Sequence, residues 1–560
     1  MSQLCVLARH RRGRAETPYA GPTGRPRGEK GRLCRRVLAR ASPPSPRPGS
    51  RMIRRGYSSA HTLVFSSLAG SIATAIIPIC LTPLYIRVLG LEAYGLIGLY
   101  QTFLVLCMVF DLGVSSCINR ELARLSADPA KTQEMRDLVR TFEFLYVGMG
   151  VLIGVLAFAA APAIATHWIH PTKLGPAAAT VAIRGIAITL AARWPLSFYS
   201  GGLLGLQRHG LLYLVNFAAM LLQGGGAAII LCWVSPAISS YFYWQAATGA
   251  IQTPAIALLL WHCLEPGARR ARFDLLLLKK TIGFASTLGL TAVLGMILGQ
   301  LDQLILSRTV SLEAFGLYSV ASSVTVGLNV ITRPVFAAFY PRYTRTAVDP
   351  NSPYLPDMYH RSCQLMSVLV FSCATVLVLC ARDLVLLWTG NEALAEGTHT
   401  LIALLTIAGA LNALIQLPYA LQLAHGWTTL GVKTNALFLV VFSPIIVGAV
   451  HGYGQLGAAG AKILLNLGYV SLFVLLTHKR LLRTHASEWY QSDVAAPLMG
   501  AFASGIAAKL LVGWAAPNSA VASIFMTGAA SCCGATLAAP RLRRLLMVFL
   551  QQRVNTAFQH

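Results

Sequence analysis

Five basic residues, Arg184, Arg193, Lys433, Lys462 and Lys509, stand inside long apolar stretches of this chain. Asp302 is the clearest acidic counterpart, while Asp111 and Glu143 sit nearer the ends of their stretches. A charge at the middle of a membrane span costs on the order of 2.5–3.5 kcal/mol, so each should face a protein interior or a water-filled cavity. A cavity with excess positive charge attracts an anion. Guanidinium and ammonium groups suit phosphate oxygens. Arg87 and Arg308 add two cations at the ends of equivalent stretches.

Each of these residues also has a structural reading. Arg87, Arg308, Arg382 and Lys433 can carry their charge to the membrane interface on an apolar stem. Lys509 can do the same, or pair. Arg193 precedes Trp194-Pro195, where a proline kink frees a carbonyl that a guanidinium can bond. Lys462 and Asn466 are four apart, on one helix face, which makes either a polar cavity face or a helix–helix seam. Asp302 is a substrate or ion site, or an internal salt-bridge partner. Arg184 and Arg193 are nine apart, near opposite faces at about 100° per residue, so both cannot easily serve one site. The Tyr/Trp groups at 241–244 and 489–490 have the composition of interface belts.

Other chemistries lack their residues. No GxxxxGK[ST] loop cradles phosphates, and HExxH, GxSxG and a carboxylate pair are absent. The twelve cysteines contain no CxxC pair or zinc spacing, and those in apolar stretches (Cys80, Cys107, Cys117, Cys232, Cys373, Cys380) read as small buried apolar residues. No loop is long enough for a catalytic domain. A primary pump and a membrane-embedded hydrolase are both disfavoured.

The elements that position the charges are membrane spans. Of 560 residues 55% are apolar and only 12% charged, too few charges for a soluble nucleic-acid binder despite a net +26. The pattern predicts an all-α polytopic membrane protein with fourteen spans. They lie near 62–86, 95–117, 140–162, 178–205, 211–234, 239–262, 281–306, 315–338, 363–388, 399–424, 430–450, 455–477, 494–515 and 519–539. With both termini cytoplasmic, twenty-two basic residues outside the first 55 fall in inside loops and the tail, and four on the outer side. Residues 1–55 hold fifteen further Lys/Arg and too little apolar surface to fold. This segment is a solvated tail, a transit peptide or an over-extended start, with Met52 as the natural one.

Residues 91–96 (Leu-Glu-Ala-Tyr-Gly-Leu) return as 312–317 (Leu-Glu-Ala-Phe-Gly-Leu), 221 positions later. Thr62, Phe65, Ser67 and Gly70 return as Thr281, Phe284, Ser286 and Gly289 at a spacing of 219. Both matches start a block of six spans, so the blocks have the same orientation. This is a parallel repeat about an axis along the membrane normal. The predicted organisation is a tail (1–55), an N-lobe (56–270), a C-lobe (271–485), and helices 13 and 14 with a basic C-terminal tail (486–560). Substrate should lie between the lobes.

The run Pro83-Leu84-Tyr85-Ile86-Arg87-Val88-Leu89-Gly90-Leu91-Glu92-Ala93-Tyr94-Gly95 resembles the first-helix signature of polysaccharide flippases of the Wzx type. These belong to the multidrug/oligosaccharidyl-lipid/polysaccharide exporter superfamily. Asp111-Leu112-Gly113 and Asn119-Arg120-Glu121-Leu122-Ala123-Arg124 fit the same pattern, as do Asp302-Gln303-Leu304, Trp388-Thr389-Gly390-Asn391 and Glu488-Trp489-Tyr490. The resemblance implies a flippase for undecaprenyl-diphosphate-linked oligosaccharide (O-antigen or exopolysaccharide) in the bacterial cytoplasmic membrane. It implies alternating access around a central cationic cavity, no organic cofactor or metal, and coupling to an H+ or Na+ gradient. Its partners would be the glycolipid, membrane lipids and a polysaccharide polymerase with its export machinery, not nucleic acid. The family's chains start just before the first helix, as Met52 would. Many end after twelve helices. Two alternatives stay open: a cation-coupled multidrug exporter of the same superfamily, which needs cavity carboxylates, and an integral-membrane glycosyltransferase or polymerase, which needs a sizeable loop.

Overall fold

A computed structural model describes residues 77–169, 171, 173–282, 286–347, 354–482, 486–516, 519–545 and 547. The chain divides into two units, Met1–Ala60 and His61–His560. The basic segment 1–55, the Met52 start and the repeat residues Thr62, Phe65, Ser67 and Gly70 lie outside the described residues, as does most of the tail after 545.

The described residues are almost wholly helical. In lipid a helix pairs every backbone N–H and C=O within its own segment. In chain order the helices are α1 Ile77–Leu89, α2 Leu91–Cys107, α3 Val114–Leu125, α4 Thr132–Ala163, α5 Pro176–Arg193, α6 Leu196–Gly205, α7 His209–Trp233 and α8 Ile238–Cys263. There follow α9 Leu275–Ile282, α10 Ser286–Thr309, α11 Leu312–Val326, α12 Leu328–Thr346, α13 Tyr354–Leu379, α14 Ala381–Thr389, α15 Glu392–Ala424, α16 Thr429–Thr477, α17 Ala496–Ala515 and α18 Ala520–Ala538.

Among the described residues, eleven helical segments are long and apolar enough to cross a membrane. The differences from the fourteen predicted spans have physical causes. The first span is described only from Ile77. The segment α8 is 26 residues long but carries buried Gln245, Thr248, Gln252 and Thr253, which lower its hydropathy. The spans expected at 430–450 and 455–477 run together as α16, which Gly454 interrupts at φ 55° and ψ −129°. The chain reverses there. Tyr469 lies 4.5 Å from Phe438, ring to ring, and its hydroxyl donates to Asn435 Oδ1 at 2.6 Å, so the two halves pack antiparallel.

The repeat is visible in contacts. Gly95 on α2 lies against the carbonyl oxygen of Leu312 on α11, and Gly316 lies against that of Leu91. A Cβ at either glycine would collide with that oxygen. Residue i touching j while their counterparts exchange the same contact is the mark of a two-fold relation. Further along, the register becomes 219. The turn after α6 has Arg208 N donating to Leu203 O at 2.9 Å, and the turn after α15 has Trp427 N donating to Gln422 O at 2.9 Å. Gln207 and Gly426 take the same left-handed conformation, at φ 57° and 68°.

The helices α17 and α18 pack on each other and on α13. Lys509 donates to the Leu379 carbonyl at the end of α13. Just before α17, fully buried Asp493 meets His360 of α13 at 2.5 Å and Gln364 at 3.0 Å. Arg541, beyond α18, closes this cluster onto Glu488 at 2.5 Å.

Two expectations are corrected. Cys117, Cys363 and Cys380 are buried, but Cys80, Cys232, Cys373, Cys532 and Cys533 are exposed on outer helix faces, where apolar character suits lipid rather than a protein core. The aromatic groups are not simply belts. Tyr241, Phe242 and Trp489 are buried, with Tyr241 edge-on to Tyr85 and Phe242.

Candidate functional site

Among the described residues a cavity of about 590 Å³ lies in the first block, with Met296 of α10 contributing from the second. It forms where Pro195 breaks the span between α5 and α6, because proline cannot donate to the helix ladder. The break sets Arg193, Ser197 and Ser200 on its wall. Arg193 Nη1 donates to the buried Tyr100 hydroxyl at 2.7 Å, which fixes the guanidinium without neutralising it. Among the described residues no carboxylate comes within ion-pair distance of Arg193. Three carboxamides complete the polar wall. Gln223 Nε2 donates to Gln252 Oε1 at 2.8 Å, and Gln252 Nε2 to Asn216 Oδ1 at 3.0 Å.

A smaller cavity, about 240 Å³, lies in the second block. The 219 register places Asn412 where Arg193 stands, Ile415 for Leu196, Gln416 for Ser197, Tyr419 for Ser200 and Asn435 for Asn216. The two cavities are thus repeat counterparts, and the cation of one is a carboxamide in the other.

Asp302 is buried, at 2% exposure, among α10, α11 and the second half of α16. Its Oδ2 receives Lys462 Nζ at 2.7 Å and the Tyr318 hydroxyl at 2.5 Å. One turn on, Asn466 Nδ2 donates to the Lys462 carbonyl at 2.8 Å, and its Oδ1 accepts from Asn412 at 3.1 Å. Lys462 and Asn466 therefore form a helix–helix seam, with Asn412 linking it to the smaller cavity. Beside it, Thr102 of α2 donates to Gln303 Oε1 at 2.5 Å, across the blocks.

The remaining predicted residues are dispersed. Arg184 does not line the Arg193 cavity. Its guanidinium lies 5.0 Å from the Phe158 ring of α4, as a side chain nine positions away on the opposite helix face must. Arg87 and Arg308 are exposed, and Arg308 lies 5.4 Å from the Trp168 ring. Trp168 Nε1 donates to the neighbouring Ser307 at 3.0 Å, so this end of α10 joins the first block. Arg382 bridges Glu392 and Glu396 at 2.7 and 2.5 Å. Asp111 is buried and accepts from the Tyr146 and Ser115 hydroxyls, the latter at 2.7 Å. Glu121 pairs with Arg124 at 2.8 Å, and Arg120 is exposed.

Tyr100, Tyr318, Asn412, Gln416 and Asn435 join the site only through the fold, which no motif in the sequence marked. Adding 219 to Arg193 and Asn216 would have found two of them.

A family model described as polysaccharide biosynthesis protein matches residues 63–347. No curated protein matches. Among solved structures, lipid II flippase MurJ in an inward closed conformation superposes with a TM-score of 0.67 at 10% identity, covering 87% of this chain and 100% of that one. An inward-facing multidrug resistance MATE family transporter of the MOP superfamily gives 0.61 at 14% identity, covering 75% and 98%. A MOP superfamily transporter from Pyrococcus furiosus, described as having a binding pocket of reverse polarity, gives 0.51 at 17% identity, covering 76% and 96%. These likenesses place the chain in the fold of that superfamily. The match over residues 63–347 fixes the family: the chain is a member of the polysaccharide biosynthesis proteins.

Proposed function

We propose that this protein is a flippase that carries undecaprenyl-diphosphate-linked oligosaccharide across the bacterial cytoplasmic membrane. The observation that carries the reading is Arg193: a guanidinium on a cavity wall, anchored by Tyr100, with no carboxylate beside it among the described residues. A diphosphate supplies the missing anion. Two packed blocks that meet at the α2–α11 seam can open alternately to each side. Both termini would be cytoplasmic. The driving gradient, H+ or Na+, has Asp302 and Asp111 as buried carboxylates to act on. The cycle would need no organic cofactor, and a polysaccharide polymerase with its export machinery would take the delivered cargo.

A multidrug exporter of the same fold is the second reading. It requires a cavity carboxylate for an organic cation; neither cavity wall has one among the described residues, and buried Asp302 is occupied by Lys462.

The test is transport by the purified chain in vesicles, using a fluorescent prenyl-diphosphate-linked oligosaccharide and a membrane-impermeant quencher. Movement between leaflets faster than in protein-free vesicles is expected. No such movement, with or without an ion gradient, would overturn the reading.

A further inference from the structure

We infer that the smaller cavity is a carbohydrate subsite, which holds one sugar ring of the cargo while the Arg193 cavity takes the diphosphate. The inference rests on the glycolipid reading above and assigns a division of labour within it. The repeat supplies the argument. Five wall positions of the two cavities correspond at a constant spacing of 219, from Arg193 and Asn412 to Asn216 and Asn435, so the differences at those positions report what each cavity binds.

The larger cavity has a guanidinium. The smaller has Asn412 at that position, and its wall adds Gln416, Asn435, Tyr419 and Tyr469, with no ionised side chain among the described residues. A phosphate there would find no charge to replace its hydration. A lipid tail would strand the Gln416 carboxamide, whose one hydrogen bond is weak, and burying polar groups without partners is costly. Sugar hydroxyls both donate and accept, as carboxamides do. A tyrosine offers an apolar ring face together with a polar tip.

The hydrogen bonds leave capacity for a ligand. Asn435 Nδ2 is committed to the Thr291 carbonyl at 3.0 Å and its Oδ1 to Tyr469 at 2.6 Å, so this side of the wall is rigid. Gln416 has one weak bond, to Asn412 at 3.4 Å. The Tyr419 hydroxyl has no hydrogen-bond partner among the described residues. At about 240 Å³ the space lies below the roughly 300–1,000 Å³ of pockets that enclose whole ligands, which fits one part of a larger cargo.

The experiment compares two probes on the purified full chain in lipid nanodiscs: a short-chain prenyl diphosphate, and the same compound carrying a single hexose. The hexose-bearing probe should bind about tenfold more tightly, the worth of one to three net hydrogen bonds. Gln416→Leu, which is only partly buried and should fold, brings its affinity down to that of the bare probe. Asn412→Leu does the same, and Arg193→Gln weakens both probes. If the bare probe binds through Arg193 but the hexose adds nothing, or if its gain survives in Gln416→Leu and Asn412→Leu, the subsite is wrong and the flippase reading stands. If neither probe binds the unaltered chain, the flippase reading fails and the subsite with it.

Discussion

Lys462 Nζ lies 2.7 Å from Asp302 Oδ2, yet the two ends of the pair are unequally buried: the lysine side chain is 26% exposed and the aspartate 3%. Removing either one therefore has different consequences. Lys462→Met strands a buried carboxylate that retains only the Tyr318 hydroxyl on Oδ2, and should lower stability by about 3 kcal/mol. Asp302→Asn leaves an ammonium that can turn toward water, and should cost only about 1 kcal/mol. The double substitution should be more stable than Lys462→Met alone. Unfolding of the three proteins in detergent checks the order, and a Lys462→Met protein as stable as its parent contradicts it.

Arg193 should matter to transport more than to folding. Its charge is partnered by a neutral phenol, so Arg193→Gln removes no ion pair from the protein. Loss of a charge-assisted hydrogen bond to phosphate is worth about 1.5–3 kcal/mol, which predicts a flipping rate lower by roughly 10- to 100-fold with near-native expression. Tyr100→Phe frees the guanidinium without deleting it and should cost about two- to tenfold. Lys433→Gln, at an exposed position, should transport like the parent. The vesicle assay reads all three, and an Arg193→Gln protein that flips at the parent rate removes the anion-binding role.

How much of this was legible beforehand depended on length scale. Apolar runs of about 20 residues announce spans because the bilayer sets their length, and the 221 spacing of the two Leu-Glu-Ala motifs announced the repeat. The opposed faces of Arg184 and Arg193 followed from helical periodicity alone. What periodicity cannot supply is the identity of a partner on another helix. Asp302 had to be either a ligand site or a salt-bridge partner until Lys462, 160 residues away, was seen against it. The interface-belt reading of Tyr241 and Trp489 failed for the same reason. Composition says that a ring tolerates the interface, while the neighbouring helices decide whether it is covered.

Glu92 and Glu313 are repeat counterparts 221 positions apart, but only one is structural. Glu92 is buried and accepts the backbone N–H groups of Lys173 and Leu174 at 2.7 and 3.1 Å. Glu313 meets the Lys173 ammonium at 3.0 Å, with the lysine side chain 73% and the glutamate side chain 41% exposed. Hydrogen bonds to a charged group are worth about 1.5–3 kcal/mol, and exposed ion pairs typically under about 1 kcal/mol. Glu92→Ala should therefore destabilise the protein by about 2 kcal/mol or more. Glu313→Ala should have little effect, and that little should vanish at high salt. Equal losses in thermal unfolding would show that the loop at 173–174 is not held by Glu92.

The sharpest test of the two-fold seam uses Gly95 and Gly316. Each sits where a Cβ would strike the carbonyl of the other block's leading leucine. The collision is with backbone, which cannot rotate away as a side chain can, so Gly95→Ala and Gly316→Ala should each cost about 1–3 kcal/mol by forcing α2 and α11 apart. The two changes act on one interface. Once the first has separated the helices, the second meets less resistance, and the double variant should lose clearly less than the sum. Gly299→Ala on α10, where a Cβ would meet nothing, is the control and should be neutral or slightly stabilising. Unfolding midpoints of the four proteins read the coupling directly. Additive losses would mean that the glycines sit in independent sites and that the seam is not a shared two-fold contact.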